Sequence, residues 1–249
     1  MEIYLLSPHT SNIMPLKVDL HIHGNKANKP NMRYYPVNLD VQNRECLVVG
    51  GGSVGERKVN TLLECEARLT VVTTLATERL QSLASEGRID LKNKSYEPSD
   101  LEGKFLVIGA TDSEEVNERI SKDAAKRGLL CNIADRPQAC SFVLPAIVRQ
   151  GDLLIAISTS NKSPAVARRI RQTLDKEFGP EYAVLLNLMG AIRRRLLSTG
   201  KNQGAHKWMF ERLLDEGLLE MIRENRIKDV DSLLNDVLGE AYGWNELMK

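Results

Sequence analysis

The sequence predicts an α/β protein: a Rossmann-type doubly wound parallel sheet, followed by a small α+β dimerisation segment and a helical C-terminal domain. Two observations predict this fold class. Short apolar runs alternate with amphipathic helical patterns from Tyr34 to Ile133, which is typical of repeated βαβ units. Beyond Pro164 only helical patterns follow. We therefore expect a sheet domain over 32–145, a dimerisation and substrate segment over 146–180, and a helical domain over 181–249.

The elements of the first half follow from apolar periodicity. Five apolar runs predict buried strands, at 46–49, 69–72, 89–91, 105–108 and 129–133. Helical spacing between the strands predicts three helices, over 54–63, 75–84 and 114–127. Because the connections are short, the strands are expected to pair in parallel, with right-handed crossovers and helices on both faces.

The pattern changes after Ile133. Residues 141–143 and 153–157 are predicted as strands that 147–151 separate, with no regular helix between them. Pro164 begins a long predicted helix that ends at Gly179-Pro180, since both residues terminate helices. Three more amphipathic helices are predicted, over 182–197, 206–223 and 227–238.

Residues 1–31 lack any sustained periodicity, so we interpret them as a disordered extension or a misassigned start, with Met32 as an alternative initiator. Within them, His21 and His23 share one face of an extended segment and could offer two metal ligands. The rest of such a site is missing, so no metal site is predicted. No secretory signal pattern is present, which favours a cytoplasmic location.

Composition excludes several function classes. The 249 residues carry 34 Lys and Arg against 33 Asp and Glu, and a net charge of +1 provides no global field for nucleic acid. The longest apolar runs, such as 153–157, fall far short of the roughly 20 residues of a membrane helix. The four cysteines show no CxxC or metal-ligand spacing and are interpreted as small core residues. We expect neither a nucleic-acid partner nor a membrane span.

The strongest motif is a GxGxxG, formed by Gly50, Gly52 and Gly55 between a predicted strand and a predicted helix. In this context the three glycines permit a tight turn, close approach to a pyrophosphate, and close helix packing on the sheet. The helix N-terminus adds free N–H groups and a positive dipole. The motif therefore predicts a dinucleotide site, against the alternative of a plain glycine turn.

The end of the second strand bears on which dinucleotide binds. The segment around Thr74 and Leu75 has no carboxylate to hold a ribose hydroxyl, and no arginine cluster to hold a 2′-phosphate. Hydroxyls or backbone groups must then hold the ribose. On this basis NAD is favoured over NADP.

Three further segments suggest a ligand site. Small residues up to Thr111 end the strand that should face the cofactor, and Asp135 follows the last parallel strand, at the edge where such folds bind ligands. Ser158 and Ser163 lie in a polar loop before a helix that carries Arg168 and Arg169, a combination that suits a carboxylate-rich ligand. The alternatives are an ordinary helix cap, a turn or salt-bridge aspartate, and a capped, solvated helix.

Together these segments resemble the NAD-dependent precorrin-2 dehydrogenases, including the N-terminal module of multifunctional siroheme synthases. The resemblance covers about residues 33–180 well and the helical tail loosely. Motifs in the family's order carry it: GGGSVGERK at 50–58, ATD at 110–112, NIAD at 132–135, SFVLP at 141–145 and SPAVAR at 163–168. This ordered set is far more specific than GxGxxG alone.

The resemblance implies a homodimer that oxidises the tetrapyrrole precorrin-2 to sirohydrochlorin with NAD+. Asp135 would be the catalytic carboxylate and proton acceptor. Some members also insert ferrous iron into sirohydrochlorin, and both a one-activity and a two-activity enzyme fit the sequence. The alternative from another class is an NAD-sensing regulatory module, for which Asp135 would be dispensable. The remaining implied residues bind cofactor or substrate: Gly50, Gly52, Ser53, Val54, Gly55, Thr74, Leu75 and Thr111 for NAD, and Ser158, Ser163, Arg168 and Arg169 for the tetrapyrrole.

Overall fold

A computed structural model describes residues 33–198 and 203–248 of the chain. The chain divides into two units, Met1–Tyr35 and Pro36–Lys249. Of the first unit only residues 33–35 are described, so the predicted extension over 1–31, with its paired histidines, lies outside the described residues. The architecture that follows is that of the second unit.

A five-stranded parallel sheet forms the first half of this unit. Its strand order is β3-β2-β1-β4-β5, in which the chain moves outward from β1 to one edge and then from β4 to the other. This order confirms the predicted doubly wound Rossmann-type sheet. The strands are β1 (Glu45–Val49), β2 (Arg68–Thr73), β3 (Asp90–Asn93), β4 (Leu106–Gly109) and β5 (Leu130–Ile133).

Helices cover both faces of the sheet, because successive strand side chains point to opposite faces. On one face Val48 packs with Val59 of α1 (Ser53–Glu64) and Leu80 of α2 (Glu78–Ser85). On the other face Leu47 packs with Ile120 of α3 (Glu114–Lys126). All five side chains are fully buried. Each such burial stabilises the fold by about 1.5–3 kcal/mol relative to an exposed side chain.

The second helix starts later than predicted. The sequence predicted a helix over 75–84, whereas α2 begins at Glu78 because Thr77 is its N-cap and accepts a hydrogen bond from the N–H of Leu80 at 3.4 Å. The Thr73 hydroxyl donates to the carbonyl of Leu75 at 2.8 Å and accepts from its N–H at 3.2 Å. These local bonds hold Leu75 in a turn ahead of the helix.

An antiparallel hairpin follows the sheet: β6 (Ala146–Gln150) pairs with β7 (Leu153–Ile157). The strand predicted over 141–143 is wrong, and β6 occupies most of the segment predicted to separate two strands. The physical reason is that Ser141 hydrogen-bonds to Cys131 through both its N–H and its side chain, which leaves it outside a hairpin ladder. Gly151, with φ of +58°, makes the hairpin turn.

The C-terminal part is helical, as predicted. Its core contains the fully buried side chains Leu188, Ile192, Leu213 and Leu234. The helix predicted over 206–223 is in fact two helices, because Gly217 takes a left-handed φ of +85° that interrupts it. None of the described helices is long and apolar enough to cross a bilayer. The helices are α4 (Pro164–Glu177), α5 (Glu181–Ser198), α6 (Gln203–Asp215), α7 (Leu218–Arg223), α8 (Ile227–Leu238) and α9 (Trp244–Leu247), the last of which was not predicted.

Candidate functional site

The candidate site lies along the carboxyl edge of the sheet, where β1, β4 and β5 end side by side. Val49 of β1 is in register with Gly109 of β4, and Gly109 is in register with Ile133 of β5. The order of strands reverses between β1 and β4, since β2 and β3 lie on one side of β1 whereas β4 and β5 lie on the other. Doubly wound sheets form a crevice for ligands at this point. The loops that follow these three strands therefore carry the predicted site residues to one edge.

The glycine turn after β1 is required by close packing at two of its three positions. Gly50 has φ of +114°, and a Cβ added there would lie 2.2 Å from the carbonyl oxygen of Ala110. A Cβ added at Gly55 would lie 2.1 Å from the carbonyl oxygen of Gly50. A side chain at Gly50 would therefore push the glycine turn away from the β4 loop, and one at Gly55 would push α1 away from the turn.

Gly52 differs from its neighbours because it faces open space. No atom lies within 4 Å of a Cβ built on Gly52, and the residue is exposed. The packing of the protein does not explain a glycine at this position. A close-approaching ligand does explain it, since a side chain at Gly52 would fill the space next to the helix end.

The N-terminus of α1 adds unpaired donors beside Gly52. In the described part of the chain, the N–H groups of Ser53, Val54 and Gly55 have no hydrogen-bond acceptor, and the first backbone bond runs from Glu56 to Gly52 at 2.9 Å. Gly52, the N-cap, has no side chain to cap the helix. Free donors and the positive helix dipole suit a pyrophosphate, so these residues fit a dinucleotide.

The loops after β2 and β4 border the same turn. Thr74 and Leu75 follow β2 and are exposed, Leu75 to 81%. At Gly51 an added Cβ would lie 2.4 Å from the carbonyl oxygen of Leu75, so the β2 loop packs against the glycine turn. The backbone N–H of Thr111, after β4, lies 3.0 Å from a Cβ built on Gly50. Both predicted loops thus flank the glycine turn.

A buried asparagine that sequence reasoning missed holds the Thr111 loop. Asn117 of α3 is 6% exposed, and its Nδ2 donates to the Thr111 carbonyl at 2.8 Å. The Thr111 hydroxyl is within 3.0 Å of Asn117 Oδ1 and within 3.1 Å of the Ser113 carbonyl, either of which can accept its proton. A polar residue on the inward face of the predicted third helix was the available signal.

Asp135 lies in a tight turn directly after β5. The Arg136 N–H donates to the Ile133 carbonyl at 3.3 Å, which makes Asp135 the third residue of a four-residue turn, and its φ is +60°. That position normally favours glycine or asparagine. Asp135 is exposed, so its carboxylate is accessible to a ligand. Because positive φ values cluster at functional sites, the conformation of Asp135 at this edge of the sheet makes it a candidate functional residue.

Lys58 of α1 is a second residue of this region whose role sequence reasoning missed. Burial lowers the pKa of the Lys58 ammonium, the Arg57 charge lowers it further, and the Asp135 carboxylate opposes this by raising it. The charge of Asp135 therefore reaches Lys58, which is half-buried. The ammonium belongs to α1, the glycine helix, and the carboxylate to the β5 turn. The signal was available as the RK pair at 57–58 of the quoted motif.

The two serines predicted to bind substrate both accept hydrogen bonds from backbone N–H groups in the segment at the start of α4. Ser163 is the N-cap of α4 and accepts from the Val166 N–H at 3.2 Å, and Ser158 accepts from the Ser160 N–H at 3.2 Å. Both hydroxyls therefore stabilise the loop before α4, where they retain a proton to donate.

The two predicted arginines are free cations. Arg168 and Arg169 are exposed and form no ion pair with any residue in 33–198 or 203–248, whereas Arg171 pairs with Asp175 at 3.7 Å. No hydrogen bond or ion pair between described residues links Arg168 or Arg169 to Asp135 or to the glycine turn. Within the same described ranges, no three His, Cys, Asp or Glu side chains form a group that could hold a metal ion.

The comparison with protein families matches the sheet domain. Residues 37–146 match the NAD_binding_7 family, described as "Putative NAD(P)-binding". This range contains all five parallel strands, the glycine turn and Asp135. The match confirms the predicted nicotinamide-dinucleotide cofactor.

Curated relatives extend the similarity beyond the sheet. The chain is 37% identical to siroheme synthase 1 of Aeromonas salmonicida over 74% of this chain and 39% of the relative. It is 32% identical to the siroheme synthase of Citrobacter koseri over 84% of this chain and 46% of the relative. The chain thus spans less than half the length of these curated relatives.

A solved structure shares the fold. SirC, a precorrin-2 dehydrogenase, superposes with a TM-score of 0.70 at 24% identity, over 82% of this chain and 98% of that one. The alignment therefore includes much of the helical C-terminal part as well as the sheet. The SirC structure supports the predicted fold, and the curated relatives confirm the resemblance to siroheme synthases that the ordered motifs predicted.

Proposed function

We propose that this chain, a homologue of the siroheme synthases over 74–84% of its length, oxidises precorrin-2 to sirohydrochlorin with NAD+ as the oxidant. The observation that carries the proposal is the shared edge of the sheet. There a glycine turn suited to a pyrophosphate and an exposed aspartate in a left-handed turn follow strands that are joined through β4. Binding and proton transfer then take place in one crevice.

The oxidation removes two hydrogens from the macrocycle, one as a hydride and one as a proton. NAD+ supplies the hydride acceptor when it is bound. Asp135 is the proposed proton acceptor, because its carboxylate is exposed at the edge of the crevice and a positioned carboxylate can act as a general base. Lys58 of α1 is the cation whose pKa the Asp135 charge raises, and we assign it to the same crevice.

The glycine turn and its flanking loops are the proposed NAD site. Free N–H groups at the start of α1 would bind the pyrophosphate, and the Gly52 backbone leaves room for it. Thr74 and Leu75 would border the ribose, with Thr111 on the opposite side of the glycine turn. The end of β2 carries no acidic residue at Thr73, Thr74 or Leu75, so a threonine hydroxyl or the backbone would hold the ribose.

Arg168 and Arg169 are the proposed contacts for substrate carboxylates. The substrate is rich in carboxylates, and these two exposed guanidinium groups have no internal partner among the described residues. Ser158 and Ser163, whose hydroxyls keep a proton to donate, are assigned to the same role.

A homodimer would complete the site. The outer face of the hairpin exposes Ile147 to 40% and Leu154 to 46%, and α4 exposes Val166 to 50% and Ile170 to 40%. Val166 and Ile170 lie on the same helix as the proposed substrate arginines, so a partner subunit that covered them would approach the substrate.

Ferrous iron is proposed as a substrate of a second step, insertion into sirohydrochlorin. The exposed Asp135 carboxylate is suited to accept the pyrrole protons that iron replaces.

We also assign the chain to the cytoplasm, where its soluble cofactor and substrate would meet.

The test is an anaerobic absorbance assay of the purified chain with precorrin-2 and NAD+, followed by Fe²⁺ in a separate step. The proposal expects sirohydrochlorin to form only when NAD+ is present, and iron-dependent conversion above the spontaneous rate. Intact NAD+ binding without any spectral change would contradict the dehydrogenase and favour a sensing module. A matched Asp135→Asn variant controls for non-enzymatic oxidation.

A further inference from the structure

β5 is an edge strand of the sheet, and its outer edge hydrogen-bonds to a loop segment in place of a further strand. The N–H of Cys131 donates to Ser141 Oγ at 2.8 Å, and the Ser141 N–H donates back to the Cys131 carbonyl at 2.9 Å. Two residues along the same edge, the N–H of Ile133 donates to Cys140 Sγ at 3.1 Å. Cys140 and Ser141 therefore take the place of a sixth strand and satisfy groups that an edge strand would leave open.

Cys140 also contacts the turn that carries Asp135. Its Sγ lies 3.3 Å from the Ile133 carbonyl and 3.1 Å from the Arg136 carbonyl, and the thiol proton can go to either acceptor. Ile133 and Arg136 are the first and last residues of the four-residue turn. One side chain thus bonds to both ends of the turn, with Asp135 between them.

Two features let the Cys140 thiol hydrogen-bond to the turn: it stays protonated, and its segment is held against β5. Burial raises the pKa of Cys140, and only the Ile133 N–H opposes that shift, so the group remains a protonated donor at neutral pH. Asn132 Nδ2 lies 3.6 Å from the same sulfur and donates to the Phe142 carbonyl at 3.0 Å, which holds the segment around Cys140 against β5. The thiol therefore stays protonated, and the Asn132 amide holds the segment that carries it.

Asp135 needs such support because its conformation is unfavourable. Only glycine and, less readily, Asn or Asp adopt a positive φ without large strain, and such residues persist where the surrounding structure holds them. The hydrogen bond that closes the turn, from the Arg136 N–H to the Ile133 carbonyl, is long at 3.3 Å. The turn is also bonded to its surroundings, since the Ala134 N–H donates to the Gly109 carbonyl at 2.9 Å and the Arg136 carbonyl accepts from the Ala139 N–H at 3.0 Å. Neither of these two bonds joins the two ends of the turn, whereas the Cys140 sulfur contacts both Ile133 and Arg136.

We propose that Cys140 is a positioning residue for Asp135: its thiol clamps the first and last residues of the turn and so fixes the direction in which the carboxylate leaves the backbone. The proposal rests on the proposed function, in which Asp135 accepts the proton. It predicts an effect on turnover that exceeds any effect on NAD+ binding, since the glycine turn is not part of the clamp.

The chain offers a matched control for Cys140→Ala. Ser141→Ala removes a similar acceptor from the same edge of β5, the hydroxyl that accepts from the Cys131 N–H. Cys131 lies two residues before Ile133, so the substitution leaves both ends of the turn untouched. We expect Cys140→Ala to lower kcat for precorrin-2 oxidation by about tenfold to a hundredfold, the scale of a small misplacement of a catalytic group. Ser141→Ala should keep kcat within about twofold, and Cys140→Ser should recover most of the loss because a hydroxyl can make the same bonds.

A second measurement reads the turn without using activity. Hydrogen exchange followed by mass spectrometry should show faster exchange over 133–136 in Cys140→Ala, with the peptide over 50–58 unchanged. Equal losses of kcat in Cys140→Ala and Ser141→Ala, or unchanged exchange over 133–136, would overturn the positioning role. Full turnover of Asp135→Asn would instead show that the proposed function is wrong about the proton acceptor, whatever Cys140 does to the turn.

Discussion

Two turns at the same edge of the sheet meet the same backbone demand with different residues. After β1, the chain bends through Gly50 with φ of +114°. After β5, it bends through Asp135 with φ of +60°. Glycine adopts a positive φ freely, whereas most residues with a side chain lose about 1–2 kcal/mol there, and Asp and Asn lose less. The second turn therefore retains an acidic side chain at a cost that glycine would remove.

The difference separates binding from chemistry. At the β1 turn the absence of side chains lets backbone groups pack within van der Waals contact and leaves the helix N–H groups free. At the β5 turn the side chain itself is what the site needs, so the strain is kept and the surrounding bonds of Cys140 support it. Substitutions in the β1 turn should therefore lower stability or NAD+ affinity, whereas substitutions of Asp135 should lower kcat and leave NAD+ affinity unchanged.

The largest expected effect comes from Asp135→Asn. Asparagine tolerates a positive φ, so the turn should persist while the proton acceptor is lost. We expect kcat to fall by about 10²- to 10⁴-fold, the usual contribution of a general base. Steady-state kinetics measures this, and calorimetry with NAD+ should show unchanged affinity. Loss of NAD+ binding in this variant would contradict the proposal that the β1 turn binds NAD+ and the β5 turn serves only proton transfer.

The next effect is expected at Gly55→Ala. Its Cβ would lie 2.1 Å from the Gly50 carbonyl oxygen, and overpacking of this kind costs about 1–3 kcal/mol or more. Both the free energy of unfolding and NAD+ affinity should decrease. Gly52→Ala is the matched control, because no atom lies within 4 Å of its added Cβ. Denaturant unfolding should leave Gly52→Ala close to the parent, with only NAD+ affinity reduced.

A smaller effect is expected when Arg168 and Arg169 are both changed to Ala. Loss of charged hydrogen bonds that bind ground state and transition state alike raises KM with little change in kcat, here by about tenfold or more. Arg171→Ala serves as the control, since Arg171 already pairs with Asp175. If Arg171→Ala raised KM equally, the effect would reflect the overall charge of α4 and not two specific contacts.

The smallest effect concerns thiol reactivity. Burial raises the pKa of Cys46 to about 11 and that of Cys131 to about 12, and it also raises the pKa of Cys140, so these three thiols are protonated at pH 8. Because the thiolate is the reactive form, labelling of the folded protein should modify Cys65, the exposed cysteine, much faster than the others. Mass spectrometry with Cys65→Ser as the control counts the labelled sites. Rapid labelling of Cys140 would show that its thiol is not held in the clamp.

Periodicity predicted the sheet because four of its five strands are short, mostly buried apolar runs, whereas β3 is largely exposed. The runs around Val48 and Val107 lie within a residue of the observed strands, and the GxGxxG spacing located the glycine turn. Hydrophobic pattern failed where a local bond decides the structure. Thr77 sets the start of α2 by capping it, and Ser141 bonds to Cys131 in place of forming the predicted strand.

The candidate site was only partly predictable for a similar reason. Asp135 was found from its place after a strand, yet nothing in the sequence reports its positive φ. The cysteines were interpreted as core residues, which holds for Cys46 and Cys131, whereas Cys65 is exposed and Cys140 forms a hydrogen-bond clamp. The turn conformation of Asp135 and the hydrogen bonds of Cys140 depend on three-dimensional contacts, which the spacing of residues in the sequence does not reveal.

Asp135→Gly tests the central claim most directly, because glycine satisfies the backbone of the β5 turn and removes only the carboxylate. The measurement is the anaerobic rate of sirohydrochlorin formation at saturating NAD+ and precorrin-2. The account predicts a correctly folded protein, at least as stable as the parent, that binds NAD+ normally and forms sirohydrochlorin no faster than the solution reaction. Turnover at the parental rate would contradict the account, since the strained turn would then carry an acid that the chemistry does not use.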